Sequence, residues 1–126
     1  MIEFKDTITR KEIMANRNKI YVFGDNLRGI GYGGQAKEMR GEQNTIGIPT
    51  KKSPTEFLSD EDYYYVAPLI ASKFGAIKGH SQNDRIIVIP TAGVGTGLAD
   101  LANKAPKIWA LVKENLEKLG WKEKTE

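Results

Sequence analysis

The sequence predicts an α/β domain: a three-layer α/β/α sandwich with a mostly parallel central sheet. Two observations carry that prediction. The first is a pair of continuous apolar runs, Ile20-Tyr21-Val22-Phe23 and Ile86-Ile87-Val88-Ile89, whose composition suits strands covered on both faces. The second is the alternation of strand and helix patterns along the chain, in the order β, α, β, α, β, α, β, α, which builds parallel sheets with helices on both sides.

Each element has its own local signal. Ile2-Glu3-Phe4 alternates apolar and polar and predicts a short edge strand. Thr9 precedes Glu12 at the spacing of a helix capping box, so a short helix begins there. The strand from Lys19 to Phe23 ends at once on glycine and asparagine. Gly33 to Arg40 predicts a short helix closed near Gly41. Thr45 to Ile48 predicts another strand, stopped by Pro49. Ser59 followed by Asp60, Glu61 and Asp62 is a helix start, with acids where the backbone N–H groups are unpaired. Tyr63, Val66, Ala67, Ile70, Phe74 and Ile77 then recur at helical spacing. Pro68 falls inside this pattern and predicts a kink or a late start. Lys78 to Asn83 reads as a polar loop, Arg85 to Ile89 as a buried strand, and Pro90 to Gly97 as a loop. The last helix runs from about Lys104 to Leu119, with Pro106 in its first turn and Gly120 as terminator.

Length and composition exclude several classes. The 126 residues suit a single domain, 1–126, with 120–126 expected as a frayed tail. Without cysteine there is no disulfide framework, thiol nucleophile or Cys-based zinc site. With His80 as the one histidine, no multi-histidine metal site is expected, and His80 itself reads as an ordinary surface residue. The first residues lack a signal-peptide pattern, and no apolar run reaches the roughly 20 residues of a membrane helix. The expectation is a soluble, cytoplasmic protein without a membrane partner. A net charge of +3, with scattered basic residues, favours an anionic partner but gives no strong sign of direct nucleic-acid binding.

The chemistry concentrates in two glycine-dense segments. The first runs Gly24-Asp25-Asn26-Leu27-Arg28-Gly29-Ile30-Gly31-Tyr32-Gly33-Gly34-Gln35-Ala36, between a buried strand and a helix. Its glycines permit positive φ angles and close backbone approach, and N–H groups near Gly33 and Gly34 would face an anion. The second is Pro90-Thr91-Ala92-Gly93-Val94-Gly95-Thr96-Gly97, again after a buried strand. In open α/β sheets ligands sit beyond the carboxyl ends of the strands, where both segments fall. A phosphate-cradling nucleotide site is the reading they share. Neither is a Walker sequence, so hydrolysis of a nucleoside triphosphate through a P-loop is disfavoured. Ile48-Pro49-Thr50 and Ile89-Pro90-Thr91 both end strands, which brings Thr50 and Thr91 to the rim, with Lys51 beside them. Arg28, Lys37 and Lys51 are candidates to neutralise phosphate. Tyr32, between glycines, is a candidate to stack on a base or cover the ligand. Phe74 and Trp109 read as core, and Tyr63-Tyr64-Tyr65 leaves at least one tyrosine exposed.

On these residues the sequence resembles the macro domain superfamily of ADP-ribose-binding modules, nearest to a compact, phage-type branch. Asp25-Asn26-Leu27 with Gly31-Tyr32-Gly33-Gly34-Gln35-Ala36 looks like the family's Asn-Ala-Asn-like segment, glycine run and helix. Ala92-Gly93-Val94-Gly95-Thr96-Gly97 is similar to its diphosphate loop. The likeness covers Lys19 to Leu119, but no counterpart of the family's adenine-contacting aspartate is read before Asn26. The resemblance implies a macro-like fold, with ADP-ribose or a related NAD-derived nucleotide as ligand, free or attached to protein or nucleic acid. It implies hydrolysis or processing of an ADP-ribosyl linkage, or, as the alternative, binding without catalysis. No cofactor and no metal are implied. Asn26 would take the ribose side or orient water. Asp25 would be the general base or a ribose ligand; the other reading of Asp25 is an Asx-turn residue that holds its own loop. Asp100 is a further carboxylate, for which a helix-cap role is preferred.

Overall fold

A computed structural model describes residues 1–123. It contains a five-stranded, mostly parallel mixed sheet in the order β1-β5-β2-β3-β4. The strands are β1 (Ile2–Lys5), β2 (Lys19–Asn26), β3 (Thr45–Ser53), β4 (Glu56–Phe57) and β5 (Ile86–Pro90). The helices are α1 (Arg10–Ala15), α2 (Ala36–Met39), α3 (Tyr63–Gln82), α4 (Leu101–Lys104) and α5 (Pro106–Lys118). β1 pairs with β5, β5 with β2 and β2 with β3, all parallel, while β4 returns antiparallel on β3. The carboxyl ends of β1, β2, β3 and β5 therefore open on one edge of the sheet.

Side-chain alternation divides the interior. Ile20 and Val22 of β2, with Ile87 and Ile89 of β5, join a core cluster with Val66, Ile70 and Ile77 of α3 and Ile108, Val112 and Leu116 of α5. The intervening Tyr21, Phe23 and Val88 join a second cluster with Ile8, Ile13, Ala36 and Met39. Consecutive strand residues point to opposite faces, so each apolar run feeds both clusters. That is why β2 and β5 are apolar without interruption.

Several boundaries differ from the sequence reading. Pro49 does not stop β3, which runs through it to Ser53. A register shift lies between Asp25 and Asn26 of the neighbouring strand, beside the Asp25–Pro49 pair; such irregularities are where a sheet tolerates a residue without an N–H. α3 does not start late: a 3₁₀ turn over Asp60–Asp62 leads straight into Tyr63. Its Pro68 lies within the helix, so the hydrogen bond it cannot make is lost at the Tyr64 carbonyl, on the side facing solvent. Lys78 to Gln82 is helix rather than loop, which puts His80 in the last turn of α3. α2 is shorter than expected and occupies Ala36–Met39. β4 had no signal of its own, being a two-residue return.

The expected frayed tail is corrected at Trp121, which is 4% exposed and belongs to the main core. Gly120 ends α5 with φ +101°, and the Trp121 N–H donates to the Leu116 carbonyl at 3.1 Å. This turn sends the indole back under the sheet edge. The rest of that expectation, over 124–126, lies outside the described residues. Among the described residues no helix is long and apolar enough to cross a membrane.

One buried group has a pH consequence. The Tyr21 hydroxyl is buried and makes no hydrogen bond of full geometry; desolvation first, then the Glu12 carboxylate beside it, raises the phenol above its ordinary value. The folded protein thus keeps this proton at a pH where the unfolded chain releases it. The stabilisation is present below about pH 10 and is lost as pH rises beyond it. Tyr21→Phe is expected to leave stability at neutral pH unchanged or slightly higher, since it removes an unpartnered hydroxyl. It should also flatten the alkaline loss of stability in urea titrations above about pH 10; an unchanged alkaline limb would contradict this account.

Candidate functional site

Where the parallel strands end, the loops enclose a cleft of about 370 Å³, in the range of small-molecule sites. One wall is the segment after β2, including Gly31, Gly33, Gly34 and Gln35. The facing wall is Ala92 to Ala99 after β5, and Thr50 and Lys51 of β3 complete the floor and rim. The two glycine-dense segments, far apart in sequence, thus line one space.

The wall after β5 is a glycine turn, buried over Gly93 to Gly95 and exposed at Thr96 and Gly97. Gly93 and Gly95 have φ of +81° and +82°, a conformation that turns successive N–H groups toward a common concavity. Among the described residues, the N–H groups of Val94, Gly95, Thr96 and Gly97 meet no protein acceptor. Thr96 closes the turn by donating its hydroxyl proton to the Ala92 carbonyl at 2.8 Å. Behind it, Trp121 donates its indole N–H to the Thr91 carbonyl at 2.9 Å. The ring lies so close that a Cβ on Gly93 would come within 2.8 Å of it. The loop is therefore held from behind by Trp121, and the N–H groups of Val94 to Gly97 have no acceptor among the described residues.

The opposite wall is organised by a guanidinium. Arg40 Nη2 donates to Asp25 Oδ1 at 2.6 Å and Nη1 to Oδ2 at 3.3 Å. Its Nε donates to the Gly31 carbonyl at 2.6 Å, and Nη2 also reaches the Ile30 carbonyl at 3.2 Å. The guanidinium lies over the Phe23 ring, 5.9 Å from its centre, and both charged side chains are mostly buried. Asp25 Oδ1 also accepts the Asn26 N–H at 2.7 Å. Asn26 donates from Nδ2 to the Ile30 carbonyl at 2.7 Å and accepts the Arg28 N–H at 3.0 Å. Both predicted catalytic side chains thus line the cleft while their polar atoms shape the loop that forms its wall. Gly47 of β3 makes room for this: a Cβ there would lie 2.8 Å from Asp25 Oδ2.

Of the residues singled out from sequence, Gly24, Asp25, Asn26, Gly31, Gly33, Gly34, Gln35, Thr50, Lys51 and Ala92 to Gly97 line the cleft. Three proposed ligand-binding residues lie elsewhere. Leu27 packs against the main core. Tyr32 is 67% exposed and outside the lining. Thr91 offers its backbone to Lys5 and Trp121. Arg28 and Lys37 do not line it either. Asp100 starts α4 at φ +45° without capping it, and its carboxylate instead accepts from Asn103 Nδ2 at 2.8 Å. The Thr50 hydroxyl donates to the Asp25 carbonyl at 3.1 Å, and Lys51 Nζ donates to the Pro54 carbonyl at 2.8 Å. Within the cleft, the Gln35 Oε1 atom is buried without a hydrogen-bond partner among the described residues.

Sequence reasoning missed Asp6, Arg40, Pro54 and Leu98, which also line the cleft. Asp6 follows β1 directly, and the parallel pairing of β1 with β5 carries it to the same edge. The signal that finds it is topological: any residue just past a parallel strand is a candidate. Arg40 had none, because its importance rests on contacts 9 to 15 residues away in sequence.

A family model described as a family of unknown function (DUF7831) matches residues 3–115, and the chain belongs to that family. No curated protein and no solved structure matches it.

The Asp25–Arg40 pair has a measurable signature. Arg40→Met leaves a largely buried carboxylate uncompensated and should cost about 2 kcal/mol in urea unfolding, less than for a fully buried pair. Asp25→Asn in the same background should recover part of that loss, giving a coupling above about 1 kcal/mol in the double-mutant cycle. Additive losses would show that the two side chains do not act as a unit.

Proposed function

For this member of the DUF7831 family, we propose that the cleft binds ADP-ribose or a related NAD-derived nucleotide, with the diphosphate against the Ala92 to Gly97 turn. The observation that carries this reading is the run of unpaired N–H groups on a positive-φ turn, in a cleft at the carboxyl ends of parallel strands. Such a turn favours an anion that accepts several hydrogen bonds at once, as a diphosphate does. The amides supply the recognition with little help from cations, since Lys51 already bonds to Pro54.

The macro-like resemblance agrees with this arrangement. The two core clusters on opposite faces of the sheet support counting the fold as a three-layer α/β/α sandwich of that type. Asp6 adds what the resemblance lacked in sequence, a carboxylate at the β1 end of the cleft, suited to accept from an exocyclic amine of the base. Binding is favoured over hydrolysis because Asp25 is engaged with its own wall: Oδ1 accepts from Arg40 and from the Asn26 N–H, and Oδ2 accepts from Arg40 at 3.3 Å, which fills three of its roughly four lone-pair positions. A general base needs a lone pair open to water. Asn26 is likewise engaged at both ends of its amide.

Calorimetry with ADP-ribose is expected to give a dissociation constant of about 1–100 μM. Gly97 has ordinary φ and open space around a Cβ, so Gly97→Glu places a negative charge on the turn without strain. It should weaken binding at least about tenfold. Asp6→Ala should weaken ADP-ribose but leave ribose 5-phosphate unaffected. Absence of heat with ADP-ribose, AMP and an ADP-ribosylated peptide would sink the reading. Release of ADP-ribose from that peptide by the wild type, lost in Asp25→Asn, would make the protein a hydrolase instead.

A further inference from the structure

We propose that α3 pairs with α3 of a second copy of this chain, antiparallel, across the face that points away from the sheet. The buried side of this helix is ordinary: Val66, Ile70, Phe74 and Ile77 pack into the core. Its outer side is not. At 3.6 residues per turn, Tyr64, Tyr65, Pro68, Ser72, Gly75 and Gly79 share the outward arc. Tyr64 is 90% exposed, Tyr65 69% and the flanking Leu69 40%. Between Tyr63 and Gln82 the only lysines are Lys73 and Lys78, and no aspartate, glutamate or arginine occurs. A surface helix ordinarily carries its charges on the outer face, and one that is apolar all round is normally covered.

The glycines make the argument specific. Gly75 and Gly79 lie inside the helix without positive φ, and a Cβ on either would meet nothing within 4 Å. Nothing among the described residues requires them. Each is a poor helix former, less favourable than alanine by about 1 kcal/mol. A helix surface bared in this way permits another backbone to approach closely.

The face is its own complement, which identifies the occupant as a second copy. Its first half is bulky, with Tyr64, Tyr65 and Pro68. Its second half is bare, with Ser72, Gly75, Ala76 and Gly79. Tyr64 and Gly79 lie equally far from the point between Ala71 and Ser72, as do Pro68 and Gly75. A two-fold axis through that point sets Tyr64 over Gly79 and Pro68 over Gly75 of the partner, twice, as a two-fold interface demands, while Tyr65 meets Lys78. The charges at the ends agree. Glu61 is exposed at the start of the helix, and Lys78 and Arg85 are exposed toward its end. None of the three forms an ion pair among the described residues. Antiparallel pairing brings Glu61 of each copy to the basic end of the other.

Sedimentation of the full chain from about 1 to about 300 μM tests this. The expected result is a rise toward twice 14.0 kDa. Gly75→Gln with Gly79→Gln, which adds helix-favouring bulk into open space, should give a monomer throughout that range. Its melting temperature when dilute should be unchanged or higher, separating lost pairing from lost folding. Because the chain has no cysteine, single reporters are clean. Ser72→Cys, beside the axis, should form a disulfide-linked dimer at least about tenfold faster than Met14→Cys on the opposite side of the sheet. A wild type that stays monomeric, a dimer indifferent to the double substitution, or equal cross-linking rates would each overturn the proposal.

Discussion

The geometry of the cleft depends on one ion pair. Arg40 reaches from the end of α2 to Asp25, at the end of the central strand β2, and takes two carbonyls of the intervening loop on the way. Asp25 and Gly31 are thereby held by one planar, forked donor group. The pair is largely screened from water, so its strength depends on the four N–H groups that donate and both carboxylate oxygens having geometry to match. Phe23 beneath the guanidinium and the bare backbone of Gly47 beside the carboxylate complete the fit. A cleft wall that would otherwise be a loose glycine-rich loop is pinned at Asp25, Ile30 and Gly31 by one side chain.

The opposite wall is held by different means. Among the described residues it contains no ion pair, and its shape rests on two glycines whose φ angles are closed to most residues. What stops it collapsing is the indole of Trp121, packed behind Gly93 and bonded to Thr91. One wall is thus fixed by charge and the other by apolar packing. Salt weakens the first kind of restraint more than the second, and cooling weakens the second more than the first.

What could be read from the sequence follows the range of the interactions involved. Alternation and apolar runs are local, so β2, β5, the buried face of α3 and the stripe of α5 were legible. So were the two glycine segments, since each follows a strand. Pro49 misled because its effect depends on the partner strand: a register shift in β2 lets β3 continue past it. Lys78 to Gln82 looked like loop because glycine, histidine and serine favour turns, yet docking of Ile77 and the helix before it carries the element onward. Tyr32 and Leu27 were placed by neighbourhood in sequence, and neither faces the cleft. Asp6, Arg40 and Trp121 matter through contacts that no periodicity encodes.

Trp109 and Trp121 are the only tryptophans in the chain, and they meet edge to face with ring centres 6.0 Å apart. The indole that backs the glycine turn is therefore one of the protein's two tryptophan emitters, and its neighbour is the other. Events at residues 91 to 95 can be watched by intrinsic light, without a label and against no background from tryptophans elsewhere. The residue that braces the glycine turn is also its built-in optical probe.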